Sequence, residues 1–528
     1  MTSRKSVTFL FLLLIAGVLF LDLSQTNFSH MNDEGLYAQI GWEMFDHHDG
    51  TVPTWFGHPA YYKPPLTYWL MFPFFKLFGR TLLAARLPSA IVGLFTLWVT
   101  YLFGKRLYGE REGLLSAAIL LTSSNFIKFS RNAMMESLLM FFFILSTYCF
   151  YRASEEDRGK WLWAWLSAVG ASCLVKGPIS VLILLISAGL FCVFTGRFKF
   201  LWKKELWAGI ATGGFFMGLW PLLIALRGEW KPWWNFFILG ENFGKFQNMY
   251  YGTSQIWGSY LISILPWSFI FVAMLLVILI QGVWKERGIA LNLIVIATTF
   301  AVFLLPATRL THYTVPVIPS GALLLGSLYS RFSISRIIRG SELITGLVLA
   351  FAGVFVILAV RAFSFEHIWF YAVAAGIFLI LAGLSLLTSS KRMPRAALFT
   401  ALSFTAVSAM AGGWNYPLIP AQGRTILSEK PAYVYKDSTY LWSYHIGKEV
   451  IALDDPPHLS GALSRGGRVA IAESDLSQSG LQHSQYRILS QWTILKPRLS
   501  QEDVLAAIKS GQHRFVEEPM MIIEKSSP

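Results

Sequence analysis

Two short stretches, "MNDEGLYAQIGWEM" at 31–44 and "YYKPPLTYWL" at 61–70, set Asp33, Glu34 and Lys63 into an otherwise apolar chain. A carboxylate beside a hydroxyl can take its proton or aim it, and a lysine ammonium is a point charge suited to a phosphate. Other ionisable groups stand at the ends of apolar runs: Arg131 and Glu136, Lys176 in "VKGPIS", Glu241 in "FFILGENFGKFQNMYYG", and Arg309 and His312 in "ATRLTHYTVP". Singly, each reads as a side chain that snorkels to the membrane edge. Together, cations beside paired carboxylates suit a lipid whose head carries a phosphate. Lys63, Arg131, Lys176 and Arg309 are the candidate clamp, and Asp33 is the acid–base or positioning group. The cluster "DHHDG" at 46–50 reads as a polar turn that ends a helix rather than as a metal site.

The elements that must position these groups are membrane helices. Only 14% of the 528 residues are charged and 54% are hydrophobic, against nearer a quarter charged in a soluble domain. Apolar runs predict thirteen spans, near 6–23, 82–104, 112–127, 133–151, 161–175, 178–195, 206–226, 257–281, 289–305, 313–330, 342–360, 367–388 and 396–414. The first lacks a small-residue cleavage site and is read as an uncleaved span rather than a signal peptide. Basic connectors ("GKRLYGERE", "YRASEEDRGK", "GRFKFLWKK", "WKERG", "SRFSISRIIRG", "SSKRMPR") fill every second gap. With Arg4 and Lys5 they put the N-terminus and these connectors in the cytoplasm, which also accounts for the net charge of +14 without nucleic acid. Cys149, Cys173 and Cys192 all lie in apolar runs and imply no disulfide framework.

An odd number of spans sends the C-terminus across the membrane. Residues 1–414 are the membrane domain, with an external loop at 24–81. Within that loop Asn32 can cap a helix lying along the membrane surface, with Leu36, Tyr37, Ile40 and Met44 on one face. Pro64 and Pro65 lead into a second interfacial helix. Residues 415–528 read as a soluble external α/β domain, with strands "AYVYK", "EVIAL", "RVAIAE" and "PMMIIEK" and a helix "SQEDVLAAIKS". Its plainer reading is a docking or lid domain without chemistry.

"DEGLYAQIGWEM", "YYKPPLTYW", "SRNAMMESLLMFF", "LVKGPIS" and "LTHYTVPVIPSGALLL" resemble, in order and topology, the protein O-mannosyltransferase superfamily, and within it the bacterial aminoarabinose (lipid A) transferase branch. The resemblance implies a GT-C type polytopic helical fold of about 13 spans with a C-terminal external α/β domain. It implies inverting transfer of a sugar from a polyprenyl-phosphate donor to a lipid A, other glycan or protein acceptor, by a monomer in the bacterial inner membrane with its C-terminal domain in the periplasm. By motif, Asp33 matches the catalytic acid, with Glu34 the competing acid, Tyr37 an active-site tyrosine and Lys63 the lysine near the donor phosphate. Arg131 and Glu136 match an Arg…Asp pair, with Glu here in place of Asp, so Glu136 joins Asp33 and Glu34 as a catalytic candidate; Tyr37, Tyr62, Glu241, Asn242 and His312 are assigned to substrate positioning. Relatives that transfer aminoarabinose have Arg, Glu and His where this chain has Leu36, Tyr62 and Asn242. The missing Glu and His resemble a metal-binding pair, so neither metal nor cofactor is expected, and the sugar stays open. A transporter or flippase of a lipid-linked glycan is the alternative. Transporters place ionisable groups near the midplane on two related halves; here they stand at span ends and no internal repeat is evident.

Overall fold

The computed structural model describes residues 17–21, 23–24, 32–156, 158–244, 256–306, 310–333, 335–362, 369–388, 393–413, 419–436, 439–495 and 517–526. Seven of its helices are long and apolar enough to cross a membrane: Leu82–Tyr108, Glu136–Glu156, Pro178–Thr195, Glu205–Leu226, Arg287–Leu304, Arg336–Leu358 and Phe370–Thr388. They make the chain a multi-pass membrane protein. An eighth would be the pair Glu110–Leu121 and Ser124–Ser130, bent by 71°.

The remaining predicted spans that lie among the described residues are helical but shorter, broken or more polar. Gly159–Lys176 carries charge at both ends. The run at 257–281 divides into Ile256–Ser263 and Ser268–Ile280, with Pro266 in the gap. The run at 313–330 opens as a 3₁₀ turn, Thr311–Val317, before Ile318–Phe332, because Pro316 and Pro319 each remove a backbone donor. Most of the run at 6–23 and the helix expected in "SQEDVLAAIKS" lie outside the described residues.

The segment between the first two runs differs from a pair of surface-lying helices. Asn32–Asp46 opens with Asp33 and Glu34 in its first turn, where carboxylates meet the positive end of the helix dipole. Leu36, Tyr37, Ile40 and Met44 are buried as expected, yet so are Glu34, Gln39 and Glu43 on its other sides. A helix floating at an interface would leave that polar face wet. Here each polar group has a partner, because a buried unpaired one is costly. Gln39 donates to Glu43 (2.6 Å), and Glu43 accepts from Thr54 Oγ1 (2.8 Å) and from the backbone N–H of Phe56 and Gly57. Glu43 thereby holds the two-residue hairpin of β1 (Thr54–Trp55) and β2 (His58–Pro59). After Pro64 and Pro65 the chain re-enters helix at Leu66–Trp69 and Phe72–Phe78, burying Tyr68 and Phe75 while Leu77 and Phe78 are exposed. At 46–50, Asp49 Oδ1 accepts from Thr51 N (2.8 Å), the polar turn expected there.

The C-terminal part is a five-stranded mixed sheet in the order β4 (Val450–Leu453), β3 (Ala432–Tyr435), β5 (Arg468–Ala472), β7 (Glu517–Lys525), β6 (Tyr486–Leu495). β3 pairs in parallel with β4 and β5, and β7 runs antiparallel to both neighbours. The four strands read in the sequence are present. β6 was not foreseen, because a register shift between Ile488 and Ser490 interrupts its alternation. This part is joined to the membrane helices rather than tethered. Thr439–Ile446 packs on Asn32–Asp46, and Tyr444 enters a buried cluster with Ala38, Met71, Phe75 and Ala85. Arg80 donates to Gln39 Oε1 (2.5 Å) and to the Tyr444 carbonyl (2.7 Å), its guanidinium 5.0 Å from the Tyr444 ring centre.

Candidate functional site

The two carboxylates that begin the Asn32–Asp46 helix are separated by their helix positions. Successive residues differ by about 100° around the axis, so Asp33 and Glu34 face different surroundings. Glu34 is fully buried and forms a two-pronged ion pair with Arg86, at 2.7 Å to Nε and 2.8 Å from Nη2. It also accepts from the Ala133 N–H at 2.8 Å, and Arg86 donates onward to the Leu23 carbonyl (2.8 Å). Asp33 is partly exposed and acts electrostatically on Tyr37, Tyr68 and Lys176.

Around Asp33 stand two carboxylate–lysine pairs. Lys63 lies 3.0 Å from Glu241, both side chains 18% exposed, and Lys176 lies 3.3 Å from the buried Glu136. His312 Nε2 is 3.7 Å from Glu136 Oε1, and Tyr313 sets its ring 5.2 Å from the Lys176 ammonium. Glu136 Oε2 is buried without a hydrogen-bond partner among the described residues. Tyr37 lies in the middle, its phenol held well above the ordinary value by burial and then by Asp33, Glu136, Tyr68 and Glu241. Burial pushes His312 down to about 4; Glu136 opposes that shift and Lys176, Lys63 and Lys128 add to it. At neutral pH His312 is therefore uncharged, and Lys176 holds the 3.3 Å contact to Glu136.

Local sequence explains the placement. Gly177 ends the Gly159–Lys176 helix at φ +80°, a conformation in which an L side chain is strained. A Cβ there would sit 2.9 Å from the Phe237 ring, so glycine lets Lys176 finish one helix while Pro178 begins the next. Tyr62 packs edge-on against Phe236 at 5.1 Å, and Asn242 donates to the Phe237 carbonyl at 2.6 Å. The Trp234–Gly244 segment thus brings Glu241 to Lys63.

Asp33, Tyr37, Lys63, Glu136, Lys176, Glu241 and His312 come together. Arg131 donates from its guanidinium to the Val18 and Leu21 carbonyls at 2.5 and 2.6 Å, closing the end of the first apolar run. Arg309 lies outside the described residues. Three residues were missed. Tyr68, packed near Tyr37 (6.3 Å between rings), looks in sequence like one more aromatic of an apolar helix. Lys128, which acts on His312, stands just past the end of the predicted 112–127 span, where it reads as one more snorkelling cation. Arg86 sits inside a predicted span, and a charge there costs enough to demand a partner, which was the available signal.

A family model described as dolichyl-phosphate-mannose-protein mannosyltransferase matches residues 62–224. An uncharacterized protein of Aquifex aeolicus is 27% identical over 335 residues, 62% of this chain and 65% of that one. The undecaprenyl phosphate-alpha-4-amino-4-deoxy-L-arabinose arabinosyl transferase of Pseudomonas aeruginosa is 27% identical over 329 residues, 60% of this chain and 58% of that one. The match therefore spans under two thirds of these relatives' length. The crystal structure of ArnT from Cupriavidus metallidurans bound to undecaprenyl phosphate shares the fold over 98% of both chains, with a TM-score of 0.68 at 17% identity. The helical membrane fold is thus of the GT-C type. The chain is similar, over residues 62–224, to the dolichyl-phosphate-mannose-protein mannosyltransferase family and, over about 60% of its length, to the aminoarabinose transferases.

Proposed function

We propose that the protein is an inverting glycosyltransferase that moves a sugar from a polyprenyl-phosphate donor to a cell-envelope acceptor. One observation carries the reading: two lysines, each steadied by a carboxylate, converge with Asp33 around a buried tyrosine at one end of the helices. In this reading the acceptor oxygen forms a bond to the anomeric carbon from the face opposite the phosphate. The anomeric carbon–oxygen bond breaks, and the polyprenyl phosphate leaves with the electron pair. Asp33 takes or orients the acceptor's proton. Lys63 and Lys176 offset the charge that grows on the leaving phosphate; each ammonium has three donors, so a carboxylate partner does not exclude a phosphate oxygen. Glu136, Glu241 and His312 position these groups, and Glu34 holds the helix that presents Asp33. The test is transfer of label from a radiolabelled polyprenyl-phosphate sugar, in hexosyl and pentosyl forms, to a new product in membranes holding the protein. Movement of label across the bilayer without a new product would make it a flippase instead.

Lys63→Ala is expected to weaken donor binding by about tenfold or more, since a charge-assisted contact is worth about 1.5–3 kcal/mol. Titration of the purified variant with the lipid-linked sugar measures it; wild-type affinity would place the phosphate elsewhere. We further read the transfer as metal-independent, because Tyr62 and Asn242 offer neither carboxylate nor imidazole. Chelator-treated protein is expected to keep most of its activity, and strong inhibition reversed by a divalent cation would overturn this.

The same reading gives thirteen spans, a monomer in the bacterial inner membrane, and residues 415–528 as a periplasmic domain over a membrane domain of 1–414. The helix Glu136–Glu156 supports the sidedness, since Glu136 begins it in the site and Arg152 and Glu156 end it in a basic connector. A reporter active only outside the cytoplasm should work when fused after Pro528 and be silent near Lys203. The opposite pattern would reverse the orientation.

A further inference from the structure

At the end of the helices opposite the carboxylate–lysine cluster is a cavity lined by Arg106, Arg152, Glu156 and Arg158. The Gly159–Lys176 helix separates the two regions: Arg158 caps its start and Lys176 is its last residue, 18 residues and about 27 Å along the axis. We propose that this cavity binds the phosphate head of an anionic phospholipid.

Its charges are unbalanced. Glu156 is the partner of both Arg152 and Arg106, the latter at 3.4 Å, and also accepts from Trp161 Nε1 at 3.1 Å. Arg158 adds a third guanidinium to the lining, and counting Asp157 of the connector still leaves cations in excess. The neighbouring Glu155 offers little relief, because Arg197 (2.9 Å) and Arg287 (3.0 Å) already share it. The site is also built rather than diffuse. Arg152 lies over the Trp161 ring at 4.2 Å and donates to Tyr148 Oη at 2.6 Å, which fixes its fork. Guanidinium groups held this way match phosphate oxygens in pairs.

The surroundings select a lipid over a dissolved anion. Arg197 donates to the Ser154 carbonyl at 2.6 Å and so lays the Phe198–Trp202 segment beside the connector. There Trp202 is 87% exposed, with Phe198 and Trp163 also exposed. Aromatic side chains left open at the ends of membrane helices belong at the headgroup level, and basic pockets between helices on that side take anionic heads.

Native mass spectrometry of the full chain in micelles, with phosphatidylglycerol and phosphatidylcholine offered together, tests the proposal. Wild type is expected to retain phosphatidylglycerol preferentially. R106Q/R158Q is expected to weaken that retention by about 5–30-fold, from two basic groups removed, and R158Q alone, at an exposed position, to give a smaller loss of the same sign. K203Q/K204Q, removing two nearby surface charges, should change it little. Equal retention in R106Q/R158Q overturns the proposal, and so does an equal loss in K203Q/K204Q, which would mean diffuse surface charge. Displacement of phosphatidylglycerol by millimolar inorganic phosphate would overturn the lipid as ligand. None of these readouts involves sugar transfer, so a failure here is distinct from a failure of the proposed activity.

Discussion

Asp33→Asn is expected to lower turnover by about 10²–10⁴-fold, the range that general-base catalysis contributes, while donor affinity changes little. The substitution keeps the side chain's size and its place in the first helical turn and removes the proton acceptor. Neighbours sharpen the expectation. Tyr37, held protonated by burial and by the surrounding carboxylates, cannot take the proton in its place. His312, pushed down to about 4 by burial, is a weak base. Glu136 is already committed to Lys176 at 3.3 Å. Single-turnover kinetics with bound donor measure the effect. A phosphate acceptor is ionised already and needs no base, so a small loss would exclude a hydroxyl acceptor. An unchanged rate would remove Asp33 from the chemistry.

Glu34→Gln should do its damage through folding. Its carboxylate is buried against Arg86, and removing one partner of such a pair costs about 3–5 kcal/mol because the other charge is left uncompensated. The purified variant should melt at a clearly lower temperature than wild type. Replacing both residues with methionine should recover much of the loss, since two apolar groups of similar length leave no orphan charge. If Glu34→Gln instead melts like wild type and loses turnover alone, Glu34 belongs in the reaction.

The pair illustrates what sequence can and cannot convey here. Apolar periodicity and alternating basic connectors predict helices where the described chain has them, because burial in lipid demands long uncharged runs. Breaks within runs are less legible, since a single Pro266 or Pro316 decides them. Adjacent acids are indistinguishable by type. What separates them is Arg86, 52 residues further on, and no local pattern carries that contact. The buried position of the Asn32–Asp46 helix was illegible for the same reason: its polar face reads as a wet surface until Arg80, Thr54 and the hairpin amides are brought to it. Lys63 and Lys176 stood out because charges next to Pro-Pro and Gly-Pro interrupt apolar sequence, but their carboxylate partners arrive from 178 and 40 residues away.

The contact between Arg80 and the Tyr444 carbonyl joins residues 364 positions apart. During synthesis at about 5–20 residues per second, Arg80 therefore waits roughly 20–70 s before its partner exists. Through that interval the helix presenting Asp33 lacks its roof, and the cluster of Ala38, Met71 and Phe75 lacks the ring that fills it. The helix that carries the proposed site's first acid is thus braced late, although Asp33 is among the earliest residues made. A nascent chain can therefore occupy the bilayer before the helix that presents Asp33 is held in place.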